Sequence, residues 1–390
     1  MKKRILLKGG TVYQLETIRP NCSLLIENGK IQDIGESISE DVDEVKEIPE
    51  GYHVIPGMID IHIHGAAGHD AMDATLESLK GMCHYLPSEG VTGFLPTTMT
   101  QSIETIEQAL STIASYTRNE ELQDGAEVLG VHLEGPFLSE KRAGAQPVKY
   151  MLEADAKQFQ RWQELSGDQI KIVTLAPEKD KDFRLIQHLH STGVVASVGH
   201  CDAAYEVFAQ AVDHGLSHAT HLYNQMRGIH HREPGVVGGV YLHDNVTAEL
   251  IVDGIHVSPE MIKLTTKIKG FDSLIMITDS MRAKGLAEGV YELGGQKVKV
   301  ENGEARLEDG TLAGSILRMD EALSNIMSYT GCSLLEVVRM TSYNSACKIG
   351  VLDRKGSLEV GKDADIVVLN KDYQVVMTFC LGKLVYHQEF

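Results

Sequence analysis

The chain has 390 residues, and 55 Asp and Glu against 36 Lys and Arg give it a formal net charge of −19. With 43% hydrophobic and 23% charged residues it has the balance of a folded globular protein rather than a disordered one. The acidity argues against nucleic acid or an anionic membrane as partner, since phosphate-rich surfaces demand basic protein surface. No apolar run approaches the roughly 18 residues of a membrane span.

In chain order, the opening MKKRILLKGG is basic, but its apolar stretch stops at Gly9, too soon for a secretory signal. Residues 4–35 alternate apolar and polar side chains around Gly9-Gly10 and Asn28-Gly29, which predicts antiparallel strands and hairpins. Apolar, β-rich segments follow at 53–65, 90–98, 127–135, 170–178, 193–200, 218–223, 247–257 and 273–280. Helical patterns separate them; Ile103, Ile106, Leu110 and Ile113, for instance, share one helical face. A hairpin is expected over 290–312, either as a flap over a site or as a plain structural element. Ser333 and Glu336 form a capping box that opens a helix closed by Gly350. Residues 355–390 return to the alternating pattern of the first segment.

Eight strands alternating with helices over about 230 residues predict a (β/α)8 TIM-like barrel, usually about 250 residues long. The barrel is assigned to 54–354, with a possible flap near 287–312. A small β-sandwich is assigned to both termini, 1–53 and 355–390. No G-x-G-x-x-G follows an early strand, which weighs against a nucleotide-binding open sheet. Six scattered cysteines, with no C-x-x-C pair, read as reduced thiols of a cytoplasmic protein.

Seventeen histidines are unusual, and eight of them fall between His200 and His256. Barrel catalysis draws on the C-terminal strand ends. Those ends carry His62 and His64 (first strand), Glu134 (third), His200 (fifth), His221 (sixth), His256 (seventh) and Asp279 (eighth). Residues two apart on a strand share a face, so His62 and His64 can converge on one ion. Imidazole with carboxylate is a ligand set for zinc or a similar divalent metal. Singly, each has an ordinary explanation: a strand-end histidine in the core, or Asp279 as a cap. His132, on the strand face of Glu134, reads as a buried, hydrogen-bonded neighbour, and His84, His188, His190 and His387 as ordinary residues. The joint pattern is what points to a metal.

The segments PGMIDIHIHG, HLEGPF, VGH, ATHLYN, REPG, DGIHV and ITDS resemble the N-acetylglucosamine-6-phosphate deacetylases of the amidohydrolase superfamily, over essentially the whole chain. The resemblance implies hydrolysis of the acetamide of N-acetylglucosamine-6-phosphate, in amino-sugar catabolism and cell-wall sugar recycling. It places primary metal ligands on Glu134, His200 and His221 and the acid/base on Asp279. His62 and His64 are retained, so a second metal, bridged by Glu134, is an open possibility. The metal itself (zinc, iron, manganese or cobalt) is not specified. Sugar-phosphate contacts fall on Ala145, Asn224, Gln225, Arg232, the turn Asp253, Gly254, Ile255 and His256, and the loop Leu312, Ala313 and Gly314. Arg232 and His256 are implied to reach across a homodimer interface. Gln146 stands where some members carry a histidine, which puts histidine-assisted polarisation from that loop in doubt. The competing readings are another amide hydrolase of the superfamily, acting on N-acyl-amino acids or cyclic amides, and a non-catalytic scaffold relative.

Overall fold

The structure, a computed structural model, describes residues 3–38, 41–119 and 124–388. Of the expected terminal segments, residues 1–2, 39–40 and 389–390 lie outside the described residues.

The centre is a parallel barrel of eight strands in chain order: β1 (Met58–Ile63), β2 (Val91–Thr98), β3 (Val131–Glu134), β4 (Ile170–Leu175), β5 (Val195–Val198), β6 (His218–Ala219), β7 (Thr247–Ile251) and β8 (Leu274–Ile277). Every residue of β1 and β2 is buried, as expected when helices cover the outer face and side chains fill the inner one. Seven strand pairs are parallel, with register shifts in the β1–β2 and β3–β4 pairings. The remaining seam, β8 to β1, closes at the C-terminal rim: the Asp279 N–H donates to the His62 carbonyl at 2.9 Å, and the His64 N–H to the Ser280 carbonyl at 2.9 Å. Barrel closure therefore sits on the residues that carry the expected chemistry.

One main helix follows each strand: α1 (Leu76–Tyr85), α2 (Ile103–Thr117), α3 (Ala156–Leu165), α4 (Arg184–Ser191), α5 (Tyr205–Asp213), α6 (Gly235–Leu242), α7 (Pro259–Lys269) and α8 (Met319–Thr330). Ser102 caps α2 by accepting the Thr105 N–H, and Ile106, Leu110 and Ile113 pack on the barrel. Ile103, expected on that face, is exposed in the first turn. The helix expected between Ser333 and Gly350 has the predicted capping box but is interrupted: a π-helical turn, Arg339–Tyr343, separates Leu334–Val338 from Asn344–Lys348.

The terminal segments build two facing sheets. One holds Lys30–Gly35, Ser23–Glu27, Arg4–Lys8 and Glu44–Glu47; the other holds Lys383–His387, Val375–Cys380, Ile366–Leu369, His53–Pro56, Thr11–Gln14 and Thr17–Pro20. Leu7, Leu24 and Ile26 of the first meet Val12, Val54, Ile366 and Phe379 of the second in one apolar core, which makes a sandwich. The pairing is mixed rather than purely antiparallel: Arg4–Lys8 runs parallel to Glu44–Glu47, and Thr11–Gln14 parallel to His53–Pro56. The expected strand 53–65 is two strands, one in the sandwich and one in the barrel. Gly57 joins them where any side chain would collide with Thr92, a Cβ there lying 2.0 Å from its hydroxyl.

The segment after β8 forms a three-stranded antiparallel sheet, Gly289–Leu293, Gln296–Glu301 and Glu304–Arg306, with turns at Gly294-Gly295 and Asn302-Gly303. Leu293, Val298, Val300 and Ala305 pack on Met99, Ala145, Met281 and Ala313. Gln296 Nε2 donates to the Ala145 carbonyl at 2.6 Å, and Gln101 Nε2 to the Gly294 carbonyl at 2.8 Å. The hairpin is thus moored to the barrel's C-terminal loops.

Candidate metal-dependent active site

The strand-end residues converge. His200 Nε2 and His221 Nε2 lie 3.2 and 3.1 Å from Glu134 Oε1, and 3.1 Å from each other. On the other side, His62 Nε2 is 3.5 Å from Glu134 Oε1 and His64 Nε2 is 3.3 Å from Glu134 Oε2. Asp279 Oδ1 lies 3.4 Å from His62 Nε2 and 3.3 Å from His64 Nε2. Two triads, Glu134–His200–His221 and His62–His64–Asp279, thereby meet at one carboxylate. All six side chains are buried.

Local backbone geometry aims these groups. His200, His221 and Asp279 lie just beyond their strands, with φ of +45°, +32° and +47°. The left-handed region is disfavoured for residues with a Cβ, and such conformations concentrate at functional sites. Here each turns a side chain back over the barrel mouth.

Whether these groups suit a cation follows from their hydrogens. A carbonyl oxygen can only accept, so the bonds from His200 Nδ1 to the Arg142 carbonyl (2.9 Å) and from His64 Nδ1 to the Thr97 carbonyl (3.2 Å) place the hydrogen on Nδ1. His62 Nδ1 likewise donates to the Glu249 carboxylate at 2.9 Å. In the neutral rings, three Nε2 lone pairs then face carboxylate lone pairs. His62 Nε2 is buried with no hydrogen-bond partner among the described residues. Lone pairs crowded in this way are reconciled by a positive charge between them, so the residues fit a divalent cation. Without one, protons fill that role: burial opposes charging of His62 and His64, yet Asp279 and Glu134, joined at His62 by Glu249, hold His62 well above the ordinary imidazole range and His64 at about 10. Burial works against ionising Glu134 and Asp279 too, but the facing imidazoles keep both below their usual range.

Other expected residues fall in two groups. Ala145, Asn224, Gln225, His256, Leu312 and Gly314 line, with His64, Glu134, His200, His221 and Asp279, one cavity of about 310 Å³. Ala313 is buried beneath it in the hairpin core. Asp253 shapes the turn around Gly254: its Oδ1 accepts the N–H groups of Ile255 and His256 at 2.8 Å each, and its Oδ2 pairs with His256 Nδ1 at 2.6 Å. His256 thus borders the cavity of its own chain, and Ile255 is exposed. Arg232 is exposed and is not among the residues lining that cavity. Its neighbour Arg227 is committed to Asp202 at 3.0 Å and Glu233 at 3.3 Å. Lys179, beyond β4, pairs with Glu140 and Glu153 and stays out of the site.

Two residues have more prominent places than sequence reasoning assigned them. Gln146 Nε2 donates to Glu134 Oε2 at 2.6 Å while its Oε1 accepts the Thr100 N–H at 2.8 Å, so it steers the shared carboxylate. Glu249, on β7, was missed. Fully buried, it accepts from His62 Nδ1, from the His221 N–H at 3.0 Å, and faces His218 Nε2 at 3.3 Å. A lone carboxylate within an apolar barrel strand is the signal that could have found it. His132 is the hydrogen-bonded neighbour expected, held between the Ile61 carbonyl and Thr174, and burial takes its pKa down to about 3. Glu249→Gln is expected to weaken metal binding by about 10- to 100-fold, the usual cost of losing a carboxylate behind a metal-bound histidine. Metal titration followed by calorimetry checks this; unchanged affinity would remove Glu249 from the account.

The sequence profile of the amidohydrolase family matches residues 53–385. The chain is 47% identical over 388 residues to an N-acetylglucosamine-6-phosphate deacetylase of Bacillus subtilis, covering 99% of this chain and 98% of that one. Among solved structures it is similar to the N-acetylglucosamine-6-phosphate deacetylase of Thermotoga maritima, with a TM-score of 0.88 and 35% identity over 98% of this chain and 100% of that one. It is similar also to a mutant of the Mycobacterium smegmatis enzyme in complex with N-acetyl-D-glucosamine-6-phosphate, with a TM-score of 0.92 and 31% identity over 98% of this chain and 100% of that one.

Proposed function

The chain belongs to the amidohydrolase family, and from that footing we propose that it hydrolyses the acetamide of N-acetylglucosamine-6-phosphate to glucosamine-6-phosphate and acetate. The observation that carries this reading is the meeting of both triads at Glu134, on the wall of one cavity, in a chain similar to such deacetylases over nearly its full length.

Glu134, His200 and His221 would hold one divalent cation, and His62 and His64, with Glu134 as bridge, a second. A cation bound there lowers the pKa of water from 15.7 to about 7 and polarises the amide carbonyl. Asp279 faces that position as a carboxylate. It accepts the proton of the attacking water and delivers it to the sugar nitrogen as the C–N bond breaks, so that an amine rather than an amide anion leaves. Asn224, Gln225, Ala145 and the 312–314 loop orient the sugar. Imidazole–carboxylate sites take zinc, iron, manganese or cobalt, with availability selecting among them.

We place the enzyme in the cytoplasm, a reading supported by its six free thiols. No helix of the described residues is long and apolar enough to cross a membrane. We further propose a homodimer in which Arg232 crosses the interface to the phosphate in the partner's cavity. A guanidinium grips phosphate through two parallel hydrogen bonds.

The test of the function is deacetylation of N-acetylglucosamine-6-phosphate against N-acetylglucosamine, on protein of measured metal content. A strong preference for the phosphorylated sugar is expected; equal rates would overturn the substrate assignment. The dimer reading predicts complementation: co-expressed R232A and D279N chains should be more active together than either alone, because every mixed dimer then holds one site with both an intact Asp279 and an intact Arg232. No gain on mixing would contradict it.

A further inference from the structure

We propose that Arg306 is the guanidinium which each chain supplies to its own substrate's phosphate, making the three-stranded hairpin part of the binding site as well as its cover. The proposal rests on the phosphorylated substrate named above.

Arg306 borders the same cavity as Glu134, Asp279 and His256, and it is the one arginine or lysine among the described residues that do so. Its placement is built from several bonds. The strand carrying it bridges Leu312, with the Ala313 N–H donating to the Ala305 carbonyl at 2.9 Å, so Arg306 and the cavity-lining loop are fixed to one another. Its Nε donates to Glu304 at 2.6 Å and its Nη1 to the Gly310 carbonyl at 2.6 Å. A long side chain tied at two nitrogens has already lost much of the rotamer freedom that ligand binding would otherwise remove. His256, whose protonation burial opposes and Asp253 favours, also feels the Arg306 charge as a further opposing influence, so the two lie within electrostatic reach.

The need for such a cation follows from charge. A phosphate monoester carries about −1.5 to −2 at neutral pH, and the whole chain carries −19. Any cation held by Glu134, His200 and His221 would serve the acetamide end of the substrate. His256 and Arg306 are each paired with a carboxylate, Asp253 and Glu304, but the imidazole has one ring nitrogen left whereas the guanidinium has five N–H donors and keeps several for a ligand. Within one chain, Arg306 is the group left to meet the dianion, and the planar guanidinium suits phosphate oxygens better than a lysine would.

The test compares R306A and R306K with the wild-type holoenzyme. R306A should reduce the preference for N-acetylglucosamine-6-phosphate over N-acetylglucosamine by about tenfold, the effect of one charge-assisted hydrogen bond, through KM rather than kcat. R306K, which loses the same bond to Gly310 but keeps the charge, should recover part of it. Equal losses on both sugars would show that Arg306 only braces the hairpin, and no loss on either would show that it makes no contact. Binding of glucose-6-phosphate, followed by calorimetry, separates this from the substrate assignment. If the wild type ignores phosphate in turnover, the assignment falls, whereas equal glucose-6-phosphate affinity of wild type and R306A overturns the role of Arg306.

Discussion

Asp279→Asn is expected to lower kcat by about 10²- to 10⁴-fold, the range of a positioned acid/base group, with little change in KM. The substitution preserves shape but removes the carboxylate proposed to take a proton from water and return it to nitrogen. Asp279 also faces His62 and His64, so metal content must be measured alongside. The Glu134–His200–His221 set is left whole, and at least that cation should remain. A D279N protein with metal bound and near-wild-type turnover would remove Asp279 from the mechanism.

Replacing Glu134 should have the broadest effect. Its two oxygens face His62, His64, His200 and His221, and Gln146 holds the second of them. Glu134→Ala removes a member of one triad and the carboxylate that faces both histidines of the other. It also leaves several buried imidazoles without the carboxylate that balances them, and breaking a buried pair costs about 3–5 kcal/mol. Metal affinity should fall by more than the roughly 100-fold upper cost of removing an outer partner such as Glu249, and activity should fall to background. Elemental analysis of the purified variant, with denaturant unfolding beside it, separates metal loss from unfolding. A folded E134A protein that retains its full metal content would contradict the shared-carboxylate arrangement.

Most of the barrel was legible because its strands are buried on both faces and read as apolar runs such as Val91–Thr98, bounded by turns and amphipathic helices. The strand-end histidines were legible for a related reason. A polar residue that terminates an apolar run in a barrel comes to the C-terminal rim, where its counterparts from other strands gather. What sequence could not place were relationships across the barrel. Glu249 serves His62 and His221, whose positions in the chain lie far from its own, and no local pattern joins them. Gln146 was noticed only as a departure, and its grip on Glu134 depends on the fold of the 139–150 loop. Arg306 read as one more residue of a hairpin, since only the docking of that hairpin on Met99 and Ala145 brings it to the cavity. The parallel pairings within the sandwich escaped for the same cause. Adjacent alternating segments suggest hairpins, whereas Arg4–Lys8 and Thr11–Gln14 each pair on one side with a strand from beyond residue 43.

The proposed hydrolysis depends on a cation held where the two triads meet at Glu134. The most direct measurement is turnover of N-acetylglucosamine-6-phosphate as a divalent metal is titrated back into chelator-stripped protein. Activity should rise from background in step with bound metal and level off after one or two equivalents per chain. Full activity in protein shown to hold no metal would contradict it.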